Sequence, residues 1–135
     1  LAKTLAAMER ARRAPREALL PVLKKSGEEL AAAQKALAET SKDTGALIES
    51  ITVTLPGQST PPYSQPGGAR VAGETEVIVT AGNSDVRYAH LVEYGTSKGE
   101  AQPFFWAALR LLRKRFDNRN RRTVMRALRD AWKDQ

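Results

Sequence analysis

The sequence predicts an α+β domain, a small antiparallel sheet with a long N-terminal helical segment and two C-terminal helices packed on it. Three observations carry this reading. The first forty residues are dominated by Ala, Leu, Glu, Lys and Arg, all strong helix formers. The middle holds two β-branched runs, Ile51–Leu55 and Glu76–Thr80, set among prolines and glycines. The last third returns to apolar residues at helical spacing. The expected organisation is a single domain over 1–135, with a helical arm over 1–42, a sheet region over 43–95 that contains a flexible loop over 56–68, and C-terminal helices over 103–135.

In the N-terminal segment Leu23, Leu30 and Leu37 recur every seven residues, and Pro15 and Pro21 interrupt the pattern. Ser26 and Glu29 have the spacing of a capping box, so the stretch reads as two helices or as one kinked helix. Three leucines are too few for a coiled coil, and their expected use is burial on the chain's own sheet. Asp43 or Thr44 then caps a short helix that feeds the strand Ile51–Leu55. The thirteen residues from Pro56 to Gly68 contain four prolines and three glycines and do not read as a paired strand. Pro61, Pro62 and Tyr63 there are candidate contacts to a neighbouring subunit, against the plainer reading of a tolerated surface insertion.

Arg70–Gly73 and Glu76–Thr80 supply further strand, bounded by a turn at Ala81–Asp85. Val86 to Tyr94 fits both a strand and a helix period, and Asp85 before it with Gly95 after it favours a short helix. Pro103 suits the first position of a helix, whose face comprises Phe105, Ala108, Leu109, Leu112 and Phe116. A second helix follows from about Asn118, with Val124, Met125, Leu128, Ala131 and Trp132 on its apolar side.

The chain has 135 residues, enough for one core, and its 41% hydrophobic and 27% charged residues belong to a globular protein rather than a disordered tail. No apolar run approaches the roughly 20 residues needed to span a bilayer. With no cysteine there is no thiolate chemistry, and the expectation is a soluble, non-secreted protein without membrane contact. The net charge of +7 is concentrated at the end. Arg115, Arg119, Arg122, Arg126, Arg129 and Lys133 recur every three or four residues and form a basic stripe that could face nucleic acid, an acidic partner or solvent. Aromatic residues are not interleaved with the stripe for base stacking, which favours the partner or solvent reading.

His90 is the only histidine. A catalytic triad needs a base oriented by a third group, and a zinc site needs three or four His, Cys or carboxylate ligands, so the residues specify neither. The glycines do not form a phosphate-binding pattern between a strand and a helix. The expectation is a protein without catalysis, cofactor or small-molecule substrate.

Three segments carry a resemblance. Asp43–Ile51, with Gly45 and Leu47, comes first. Tyr88–Thr96, with Glu93, Tyr94, Gly95 and Thr96, comes second, and Ala101–Phe105, with Gln102, Pro103 and Phe104, comes third. In order and spacing they resemble the tailed-phage family typified by gene product ten of the Hong Kong-type siphophages, over about Leu20 to Phe116. Where the family often continues with Arg-Pro-Ala, this chain has Trp106-Ala107-Ala108. The resemblance implies a virion protein of the neck, assembled in the host cytoplasm. It would form a homo-oligomeric, hexameric ring between head-closure or connector proteins and tail-tube or terminator proteins, with DNA met only in passage. A tail terminator ring and a basic nucleic-acid-binding module are the alternatives.

Overall fold

The computed structural model describes residues 1–39, 45–86 and 103–133. A 37-residue helix, α1 (Ala2–Ala38), is followed by the short α2 (Gly45–Glu49), strands β1 (Thr52–Thr54) and β2 (Ile78–Thr80), and a 29-residue helix, α3 (Phe105–Lys133). The α+β expectation holds, with helix predominating.

Pro15 and Pro21 both lie inside α1, which continues through them as one helix. A proline inside a helix costs roughly 3 kcal/mol through its lost hydrogen bond and steric clash, so α1 depends on its neighbours and on the Ala, Leu, Glu and Arg residues around the prolines. Its main neighbour is α3. Buried Gln34 reaches the Phe105 carbonyl at a long 3.5 Å, and Arg119 reaches Ser26 and Glu29 further back, so the two helices run antiparallel as a hairpin.

The C-terminal region is one helix, not two. The expected break near Asn118 does not occur, because no glycine or proline stands between Phe104 and Lys133 and the middle of α3 is tied to α1 through Arg119. Nor do the C-terminal residues pack chiefly on the sheet, since α3 lies along α1. Pro103 sits outside the helix, whose first turn closes from the Phe104 carbonyl to the Ala108 N–H at 3.4 Å.

The strands pair antiparallel with Thr52 opposite Thr80, Val53 opposite Val79 and Thr54 opposite Ile78. They press on α1 at Gly27, where an added Cβ would lie 2.8 Å from Val77 Cγ1 and 3.1 Å from Val53 Cγ1. A glycine in mid-helix is unfavourable by about 1 kcal/mol relative to alanine, and here it permits the close approach of helix and sheet. Leu47, Ile51, Ala81, Val86, Phe104 and Phe105 form the core with Ala31 and Ala38 of α1. Of the heptad leucines, Leu37 packs against this core and Leu23 and Leu30 face the cleft between α1, α3 and the strands, all three half-buried.

The segment after β1 is more paired than its composition suggests. Ser59 bridges Val71 and Gln65 bridges Ala81, each antiparallel. Thr60 closes the turn between them: its N–H donates to the Arg70 carbonyl at 2.8 Å, its hydroxyl donates to the Gly68 carbonyl at 2.9 Å, and the Arg70 N–H donates back to that hydroxyl at 2.8 Å. Prolines and glycines supply the bends while Ser, Thr and Gln supply the pairing groups, a division that a strand template misses. Ser50 ties this region to α2. Its buried hydroxyl donates to the Leu47 carbonyl at 2.6 Å and accepts the Gly82 N–H at 2.9 Å.

Candidate interaction surface

The six cations of the predicted stripe divide into two groups. Arg119, with only 14% of its side chain exposed, turns inward. Its Nη2 lies 3.1 and 3.2 Å from the two Glu29 carboxylate oxygens, its Nη1 donates to Ser26 Oγ at 3.1 Å, and its guanidinium carbon stands 6.0 Å from the Phe116 ring centre. Arg115 is exposed and reaches Glu29 at 3.6 Å. Arg122, Arg126, Arg129 and Lys133 are exposed and have no ion pair among the described residues. The continuous stripe is therefore a helix–helix tie followed by four solvent-facing cations.

Ser26 and Glu29 do not form a capping box. They stand in the middle of α1, where their three-residue spacing puts both on one face, and that face receives Arg119. Sequence pattern cannot separate the two uses, because a hydroxyl and a carboxylate one turn apart serve a helix start or a guanidinium equally well.

At the far end of the hairpin the expected core face of α3 is turned outward. Met125 and Trp132 are both more than half exposed, as are Leu1, Leu5 and Met8 at the start of α1. Amphipathic spacing assigned Met125 and Trp132 to the interior. Small Ala7 and Ala131 are the buried residues at this end, so the helices approach closely there and the large side chains are left at the rim. The Glu9 carboxyl beside them is held below the usual carboxylate range by hydrogen bonds from Arg12 and then Arg13, at 3.0 and 2.9 Å.

Between α1, α3 and the sheet runs a cleft of about 300 Å³, its walls including Leu23, Leu30, Val77, Trp106 and Leu109, with Arg70 and Glu76 paired at 3.5 Å on its rim. Its lining is apolar, with few converging polar groups for a small molecule to meet. Among the described residues no group of three His, Cys, Asp or Glu side chains is arranged to hold a metal ion. Among them, too, no helix is long and apolar enough to cross a membrane.

The other predicted residues take separate positions. Leu47 and Phe104 are in the core, and Phe104 meets Phe105 edge to face at 6.2 Å. Gly45 starts α2 in the open, with no atom within 4 Å of an added Cβ, and Pro103 is exposed. Pro61 is half-buried, while Pro62 and Tyr63 are exposed, Tyr63 with a left-handed φ of 62°. Tyr88, Glu93, Tyr94, Gly95, Thr96 and Gln102 lie outside the described residues, as do the helix expected over Val86–Tyr94 beyond its first residue and the cap expected at Asp43 or Thr44.

The family described as "Bacteriophage HK97-gp10, putative tail-component" matches residues 2–95. The match takes in α1, α2 and both strands. It begins well before Leu20 and stops short of Gln102–Phe104 and of α3. No curated protein and no solved structure matches the chain.

Proposed function

Because the chain belongs to the HK97-gp10-like family of phage tail components, we propose that it acts at the neck of the particle, as a ring that joins the head connector to the tail. The family match across α1, the sheet and the connection between them is the observation that carries this reading. Its partners are further copies of itself, a head-closure or connector protein on one side and a tail-tube or terminator protein on the other. Its work is done by surfaces rather than by a reacting group.

The architecture suits this role. A ring subunit needs two different, mutually complementary surfaces related by a rotation that closes. A long helical hairpin fixed to a compact sheet keeps such surfaces apart and at a constant angle. The turn carrying Pro61, Pro62 and Tyr63 is held at its base by hydrogen bonds, so it presents Pro62 and Tyr63 outward as a second candidate contact.

The test is to locate the protein in assembled particles by electron microscopy with a labelled chain. Density at the head–tail junction with rotational symmetry is the expected outcome. Density in the capsid shell or at the tail tip would sink the neck assignment while leaving the family membership intact.

A further inference from the structure

The exposed side of α3 combines two properties along one line. Leu111, Met125 and Trp132 are 75%, 55% and 57% exposed, and with exposed Asn118 they recur every seven residues. Seven residues make almost two helical turns, so the four positions stay on one side of α3 with a drift of about 20° per heptad. They span about 31 Å at 1.5 Å per residue. Cations stand one turn on from three of them, Lys114 and Arg115 after Leu111, Arg121 and Arg122 after Asn118, and Arg129 after Met125. In all, α3 carries ten basic and two acidic side chains, and of the ten only Arg115 and Arg119 are in ion pairs among the described residues. The other eight are exposed.

We propose that this seam docks an acidic amphipathic helix of another protein, with apolar residues against Leu111, Met125 and Trp132 and carboxylates against the flanking cations. Both properties are needed to select that occupant. The phosphates of a nucleic acid would pair with the cations and leave the three apolar side chains without a partner surface. A second copy of α3 would bring the same cations to the seam and be repelled. Side chains a heptad apart with cations between them also make a narrower stripe than the broad apolar face that lies in a membrane surface. A partner helix presents apolar groups at matching intervals, and glutamate or aspartate beside them supplies the complementary charge. Asn118 gives the seam one polar position, a device that fixes register at some cost in stability. The inference names a partner chemistry for the neck role proposed above and rests on that reading for where the partner is met.

Binding is tested on the full chain with a fluorescent peptide of four heptads, leucine at a and d and glutamate at e and g, followed by anisotropy. The peptide should bind. Replacing its leucines by serine, with every glutamate kept, should weaken binding by at least about tenfold. In the protein, Met125→Ser with Trp132→Ser, and separately Arg121→Glu with Arg129→Glu, should each weaken it by at least about tenfold. All four side chains are exposed, so both variants should melt close to the parent and the losses report the surface rather than the fold.

Equal binding of the serine peptide, or a loss confined to the Arg121→Glu/Arg129→Glu variant, would make α3 a general polyanion surface, and salt-sensitive binding of duplex DNA would then identify the polyanion. No binding of the leucine peptide removes the seam. In assembled particles Asn118→Cys labelled with a benzophenone maleimide marks the seam alone, because the chain has no cysteine of its own. Photolysis should join it to a carboxylate-rich segment of a different protein with apolar residues at heptad spacing, read by mass spectrometry of the crosslinked peptide. A crosslink to a second copy of this chain, to DNA, or to no macromolecule overturns the proposal. Particles that lack the chain at the head–tail junction sink the neck reading and leave the peptide binding intact.

Discussion

Arg119 of α3 and Glu29 of α1 are joined by one guanidinium nitrogen placed 3.1 and 3.2 Å from the two carboxylate oxygens, ninety residues apart in sequence. With the Ser26 hydroxyl on the other nitrogen, this is the polar tie that sets the register of the helical hairpin.

Arg119→Ala leaves the buried Ser26 hydroxyl without its partner and the quarter-exposed Glu29 carboxylate with only the longer 3.6 Å contact to Arg115. The expected loss is about 1–3 kcal/mol, the range for hydrogen bonds to charged groups. Arg115→Ala removes only an exposed ion pair and should cost less than about 1 kcal/mol. Urea denaturation of both variants tests the ranking, and equal midpoints would refute the tie.

Gly27→Ala runs against the usual gain from replacing a helical glycine. The new methyl would meet Val77 and Val53, whose branched side chains have little rotamer freedom to yield. Overpacking of this kind costs about 1–3 kcal/mol, so net destabilisation is expected. Gly45→Ala, with open space around it, should be neutral or slightly stabilising. Thermal melts of the pair decide the matter, and a stabilised Gly27→Ala would mean that the helix–sheet contact is looser than described.

Ser50→Ala removes the acceptor of the Gly82 N–H at a fully buried position, while the Leu47 carbonyl keeps the Ser50 backbone N–H at 3.1 Å. A buried group left unsatisfied costs about 1–3 kcal/mol. Hydrogen exchange should show the Gly82 amide losing protection more than the amides of α3. Unchanged protection there would remove Ser50 from its bridging role.

Tyr63 holds a left-handed backbone conformation that glycine adopts without penalty. Tyr63→Gly should therefore keep the fold within about 1 kcal/mol of the parent. If the turn reaches a neighbouring subunit, the same change should lower self-association in sedimentation experiments. Assembly unchanged by Tyr63→Gly would leave that turn a plain surface feature.

The outline of the fold was legible where chemistry is local. Helix formers marked the helical character of α1, although Pro15 and Pro21 left one helix or two open, β-branched runs marked β1 and β2, and the aromatic run at Phe104 and Phe105 marked a core element. The candidate surface was less legible. Arg119 and Arg122 read alike as stripe residues, yet one is spent inside the hairpin and the other faces solvent. Helical spacing put Met125 and Trp132 with the core, although only a neighbour's position decides whether an apolar face is covered.

By itself the sequence determined the element types, the uneven charge and the kinship with a phage tail family, because propensity, net charge and motif spacing are properties of residues near one another in the chain. Only the tertiary structure decided that Asn118 would not break α3. It also made Ser26 and Glu29 a receptor rather than a cap, pressed Gly27 against the strands, and left Met125 and Trp132 exposed at the tip of the hairpin. Those outcomes depend on which surfaces meet across dozens of residues, and local pattern is blind to that pairing.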